Sequence, residues 1–237
     1  MLALLACACA GRVQRAPTTT TPAIPAASAS PLPEGWDTCG ARGFTARITA
    51  WQASAPNTIA PDASARLHEA LSARDALAVR AVLLLAHTDG GHMDLIEHLE
   101  ARVEATARSL DASDIVAAAA LMGESREQIP ARLTALALPG QPHPDLEVRV
   151  ECARSALPSG RREVIPFLLT VLRVGTHDEH LDPPDWNASP TQAWVKSRAA
   201  EALSREAGVP VEFRPDGSFE HQEQEARRLA RLVSATD

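Results

Sequence analysis

A chain of 237 residues is long enough for one large domain or a short array of repeats. Ala and Leu dominate its 45% hydrophobic fraction, aromatics are only 3% and Tyr is absent, a composition that favours helix and is poor in strand formers. The net charge of −7, with no block of Lys and Arg, argues against a nucleic-acid surface, which needs a basic stripe to neutralise phosphates.

The chain opens with Met1–Gly11, MLALLACACAG. Leu4-Leu5-Ala6-Cys7 resembles a bacterial lipobox, in which the signal peptide is cut before a Cys that is then lipidated. Cys9 is the poorer candidate, because Ala6 stands three positions before it. A basic leader and a full-length apolar run are missing, and a start codon lying further upstream would supply both. The alternative is an Ala-rich tail with incidental Cys. Residues 12–35 follow as a Thr/Pro/Ala-rich tether. Arg12–Pro33, with Thr18-Thr19-Thr20-Thr21, has too little apolar surface to offset the entropy of ordering it. Lipidated Cys, tether and folded domain over 36–237 is the layout of an envelope lipoprotein, and no stretch is long and apolar enough to span a bilayer.

Cys39 and Cys152 remain beyond the tether. They are candidates for a disulfide in an oxidising compartment; alternatively Cys152 is a small buried apolar residue of a helix. Asp62–Leu71 reads as a cap helix. Next comes a series. Ile96, Ile129 and Ile165 recur 33 and 36 residues apart as anchors of second helices, with Leu99 and Val103, Leu133 and Leu136, and Leu168, Leu169 and Leu172 as their partners. Val79, Val116 and Val148 recur 37 and 32 apart as anchors of first helices. His87, Asp89 and His92 flank a Gly90-Gly91 turn and read as polar filler of a loop between helices.

Asp145–Leu172 is the best-formed unit. Pro142 and Pro144 block earlier helix, and Asp145 is placed to cap. Leu146, Val150, Ala153 and Leu157 make one apolar stripe, while Glu147, Arg149, Glu151 and Arg154 are expected to point elsewhere. Pro158-Ser159-Gly160 breaks the pair. Pro166 then sits in the first turn of the second helix, where its missing N–H does no harm. Asp145, Val148-Arg149, Ala153, Leu157, Ile165-Pro166 and Leu168-Leu169 resemble a HEAT repeat. The resemblance covers about Asp75–Leu172 and, more loosely, Trp194–Leu203. It implies an all-α, right-handed α-solenoid of antiparallel helix pairs that works by offering a surface.

Val174–Ala193 interrupts the series with His177, Asp178, Glu179, His180, Asp182, Asp185 and Trp186. A long loop of this kind is more often a binding element than a spacer, and Trp is enriched at binding hot spots, so Trp186, Trp194, His177, His180 and Asp185 are candidate partner contacts. His177 and His180 with nearby carboxylates make a metal-dependent site the rival reading. A solvated acidic loop is the simpler account, because ligand spacing alone does not establish convergence. Gln192–Ala207 is expected to be helical. Gly208–Phe219 reads as a small β-hairpin turning at Pro215-Asp216-Gly217 and bringing Phe213 near Phe219. Glu220–Val233 closes the chain as a helix with Glu220, Glu223 and Glu225 early and Arg227, Arg228 and Arg231 late, as the helix dipole favours. No nucleophile elbow and no phosphate-binding glycine loop occurs. The expectation is a non-enzymatic scaffold without a cofactor, lipid-anchored in a bacterial envelope, that binds another protein.

Overall fold

The computed structural model describes residues 31–54, 58–73, 75–104, 111–174 and 190–235. These fold into ten α-helices: α1 (Ala41–Ser54), α2 (Pro61–Leu71), α3 (Ala76–Leu85), α4 (Gly91–Glu104), α5 (Ala112–Ala120), α6 (Gln128–Ala137), α7 (Leu146–Ala156), α8 (Ile165–Val171), α9 (Pro190–Glu206) and α10 (Phe219–Ser234). No β-strand element occurs among the described residues. The all-α expectation holds, and α1 is a helix that the sequence reading did not anticipate.

Local chemistry sets the helix limits. The Asp75 carboxylate accepts the Leu77 N–H, and that of Asp111 accepts the Ser113 N–H, each satisfying one of the free donors at a helix start. Asp145 occupies the same position before α7, but its side chain makes no capping bond. Pro158 is the second residue of a short 3-10 turn, Leu157–Ser159, and Gly160 ends it at φ 81°, a conformation that L side chains rarely adopt. A second 3-10 turn, Arg162–Val164, leads into α8, with Pro166 in its first turn as expected. The turn into α4 is closer still: a Cβ on Gly91 would lie 1.9 Å from the Leu85 carbonyl oxygen.

Packing follows a simple succession. α3 touches α5, α5 touches α7 and α7 touches α9, while α4 packs against α6; α3 also meets α4, α4 meets α5, α6 meets α7, α7 meets α8 and α8 meets α9. One register repeats along this row. Ala78, Ala81, Val82 and Leu85 on α3 have their counterparts in Asp114, Ala117 and Ala118 on α5 and Leu121 at its C-terminal cap. Val148, Glu151, Cys152 and Ser155 follow on α7, and Lys196, Ala199, Ala200 and Leu203 on α9. None of the sixteen is more than 2% exposed. The set follows the i, i+3, i+4, i+7 spacing of one helix face. The second-helix anchors Ile96, Ile129 and Ile165 are likewise buried.

This register corrects two expectations. Val79 and Val116 are only half-buried, so the true first-helix positions are Ala78 and Asp114, not the valines. Glu151 and Arg154 do not point away: Glu151 is 0% exposed and Arg154 8%. α7 is enclosed by α5 and α6 on one side and α8 and α9 on the other, so a single apolar stripe underestimates what it buries.

The hairpin expectation also fails. Residues 209–218 are irregular apart from a turn at Pro215-Asp216, and their carbonyls find partners on α10 instead of a cross-strand ladder. The Gln222 amide donates to Pro215 O at 3.0 Å and Gly217 O at 2.9 Å, and His221 Nε2 lies 3.3 Å from Glu212 O. Phe213 is buried in the core and Phe219 is half-buried.

Candidate functional site

Three polar assemblies lie inside the helix row, each at a junction between elements. The first surrounds Asp114, in the opening turn of α5 and 1% exposed. One of its carboxylate oxygens lies 3.0 Å from His98 Nε2, and the other accepts from Arg102 Nε at 3.1 Å; both partners come from α4. Arg102 also donates to Asp111 at 3.0 Å. Burial alone would raise the Asp114 carboxyl. The bonds from His98 and Arg102, with the Arg102 charge, outweigh it and hold the group below its ordinary 3.8.

His143, 1% exposed, closes this assembly from the α6–α7 connection. The Asp145 backbone N–H donates to its Nδ1 at 3.2 Å, and its Nε2 has no hydrogen-bond partner, lying 3.9 Å from Asp114 Oδ2. Burial pushes this imidazole down from 6.5, so it is neutral. A neutral ring that accepts at Nδ1 carries its proton on Nε2.

Asp114, His143 and Asp145 are the set among the described residues whose ligand atoms converge, all within 4.8 Å of one another. They suit a cation poorly. The Asp145 amide takes the Nδ1 lone pair, leaving a protonated Nε2 that cannot ligate, and the Arg102 guanidinium already occupies an oxygen of Asp114.

The second assembly joins α7 to α9. Glu151 accepts from Arg154 at 2.8 Å and from Arg198 at 2.6 Å, and Arg198 continues to Glu201 at 2.9 Å. The third joins α9 to α10. Lys196 is 2% exposed, and its ammonium donates to the Gln222 side-chain oxygen at 2.9 Å. Burial lowers its pKa. Nearer the surface, His92 pairs with Glu124 and lies 3.1 Å from Ala86 O, bridging the α3–α4 and α5–α6 turns. His92 is thus a structural tie and not simply loop filler. Beside those turns lies an open recess of about 620 Å³ lined by Gly123, Ser125, Pro130, Pro158 and Arg161. No nucleophile paired with a base lines it.

Of the residues expected to meet a partner, Trp194 is half-buried against the core, with the Arg198 guanidinium over its ring at 5.7 Å. His177, His180, Asp185 and Trp186 lie outside the described residues, as do Cys7 and most of the tether. Cys39 and Cys152 are free thiols, not a disulfide. The Cys39 thiol is directed at Trp36 O, 3.8 Å away, while Cys152 sits at 0% exposure in the α7 core, where burial drives its pKa up.

The sequence reading missed His98, Arg102, Asp111, Asp114, His143 and Lys196. A signal for two of them was available: Asp114 and Lys196 each stand three and four residues before an Ala-Ala pair and seven before a Leu, the pattern of a buried face. No protein-family model, curated protein or solved structure matches the chain.

Proposed function

We propose that this chain is a HEAT-like helical-repeat scaffold, an α-solenoid tethered through a lipidated Cys7 to a bacterial envelope membrane, that binds another macromolecule and catalyses no reaction. The observation that carries the reading is the buried register common to α3, α5, α7 and α9, helices that touch in succession. A row in which each element completes the core of the next is how helix-pair arrays are stabilised, and such arrays act through their extended outer surfaces. The engagement of the interior ionisable groups with one another at helix junctions supports a structural use for them. The 174–193 segment and the exposed positions of α6 and α8 are the proposed contact regions.

Two measurements test this. Photo-crosslinkers placed at the exposed positions Ala131, Ala135 and Thr170, and separately within 174–193, should capture one discrete partner in cells from one of these regions. A complete absence of discrete adducts counts against a binding scaffold. Cys7→Ser should move the protein from the membrane to the soluble fraction, and unchanged partitioning would remove the anchor from the proposal. Stoichiometric metal in the purified protein, lost together with an activity on chelation, would favour the metal-dependent reading of His177–Asp185.

A further inference from the structure

His143 is fixed by one hydrogen bond whose direction is unambiguous: the Asp145 N–H points at Nδ1 from 3.2 Å. An amide can only donate, so that bond exists only while Nδ1 keeps its lone pair. Protonation would set two N–H groups face to face at this point. Two carboxylates stand ready for the resulting cation. Asp145 Oδ2 is 3.9 Å from Nδ1, and Asp114 Oδ2 is 3.9 Å from Nε2. Each needs to approach by about 1 Å to make a charge-assisted hydrogen bond. Asp145 is able to do so, since its side chain makes no capping bond at the start of α7. The His143 backbone N–H meanwhile donates to Leu136 O at 2.9 Å, tying the same residue to the end of α6.

We propose that His143 is a pH-operated latch on the α6–α7 connection: as neutral imidazole it holds the Asp145 amide, and as imidazolium it releases that amide and turns to the carboxylates of Asp145 and Asp114. The inference is independent of any anchor or partner.

The charged and titratable groups around His143 come from α4, α5 and the start of α7, while α6 offers the Leu136 carbonyl. α4 supplies His98 and Arg102, and α5 supplies Asp111 and Asp114. Asp145 precedes α7, which also buries Glu151 and Cys152. Arg102 opposes a second cation, while Asp114 and Asp145 favour one. The Asp114 carboxyl is held below its ordinary value, so the interval between about pH 7.5 and pH 5 lies above its titration and within the range of an imidazole.

The test is amide hydrogen exchange of the full chain, expressed as protection factors, at about pH 7.5 and about pH 5.0. Linkage to a site with an ordinary pKa of 6.5 in the open state limits the change to about 30-fold. Protection at Asp145 should fall by about tenfold or more across that interval, while that at Leu168 stays level. His143→Asn keeps a side-chain oxygen near the Nδ1 position but has no proton to gain, so its protection at Asp145 should not depend on pH. A level profile in the unaltered protein overturns the latch, and so does a fall that persists in His143→Asn. If His143→Asn does not fold, nitrogen NMR of the imidazoles decides. The latch requires an unprotonated Nδ1 and a protonated Nε2 at about pH 7.5, and the opposite tautomer refutes it.

Discussion

Replacing Glu151 by Gln should be among the most damaging isosteric changes available to this protein. Glu151 is 0% exposed and answers two guanidiniums, Arg154 at 2.8 Å and Arg198 at 2.6 Å. Gln keeps one acceptor but removes the charge. Arg198 tolerates the loss, being a quarter exposed and bonded also to Glu201. Arg154 does not: its side chain is 9% exposed, and its Nε already lacks a partner. Stranding a buried charge typically costs about 3–5 kcal/mol, and the retained amide oxygen brings the expectation to about 2–4 kcal/mol. For a domain of this size that is a fall in Tm of roughly 4–16 °C. Urea unfolding followed by circular dichroism measures it. The double variant Glu151→Met/Arg154→Leu removes both charges and should recover at least half of the loss, since apolar replacement of a buried pair is often neutral. A loss below about 0.5 kcal/mol in the single variant would mean that Glu151 is not the charge that keeps Arg154 buried.

Gln222→Leu should cost about 2–4 kcal/mol by leaving the Lys196 ammonium and the carbonyls of Pro215 and Gly217 without partners, and Lys196→Met added to it should restore part of the loss; a neutral single variant argues against this junction. Glu100→Gln, at the bidentate pair with Arg132 on the α4–α6 surface, should cost no more than about 1 kcal/mol, because Glu100 is 41% exposed and solvent screens the pair; a cost above 2 kcal/mol would put α4–α6 contact on an electrostatic footing. Asp114, Glu124 and Glu223 are all held below their ordinary 3.8, 4.5 and 4.5. Their contribution is therefore complete above those values and is lost as pH falls through the lower folded values. Stability should decline on the acid side of about pH 4.5, and a flat profile there would contradict these pairings.

The helical architecture was legible because it rests on composition and period, which neighbouring residues reveal. Pro166, Gly160 and the three isoleucine anchors were read from local rules, and those rules operate in the structure. The failures have a common cause in contacts across elements. Val79 looked like an anchor because it is apolar, yet the buried face passes through Ala78, a residue too small to announce itself. Glu151 looked like a solvent residue because charge normally is one; its partner Arg198 lies 47 positions away. The segment after Gly208 had the turn chemistry of a hairpin, but Gln222 reaches its carbonyls first. Nothing local to His143 indicated that Asp114 would lie beside it.

The common four-position face would by itself let any of these helices dock against any other, which is a hazard during folding of a chain built from similar pieces. The charges set into that face act against it. Asp114 is matched by the helix before its own, Glu151 by the next helix in the row as well as by Arg154 of its own helix, and Lys196 by the last, so the pairings between helices come each from a different neighbour. Shuffling the helices, or exchanging one between two molecules, would bury a charge against the wrong neighbour. The order of assembly is in this sense written into three residues, and copies of this protein at high concentration would be discouraged from trading parts.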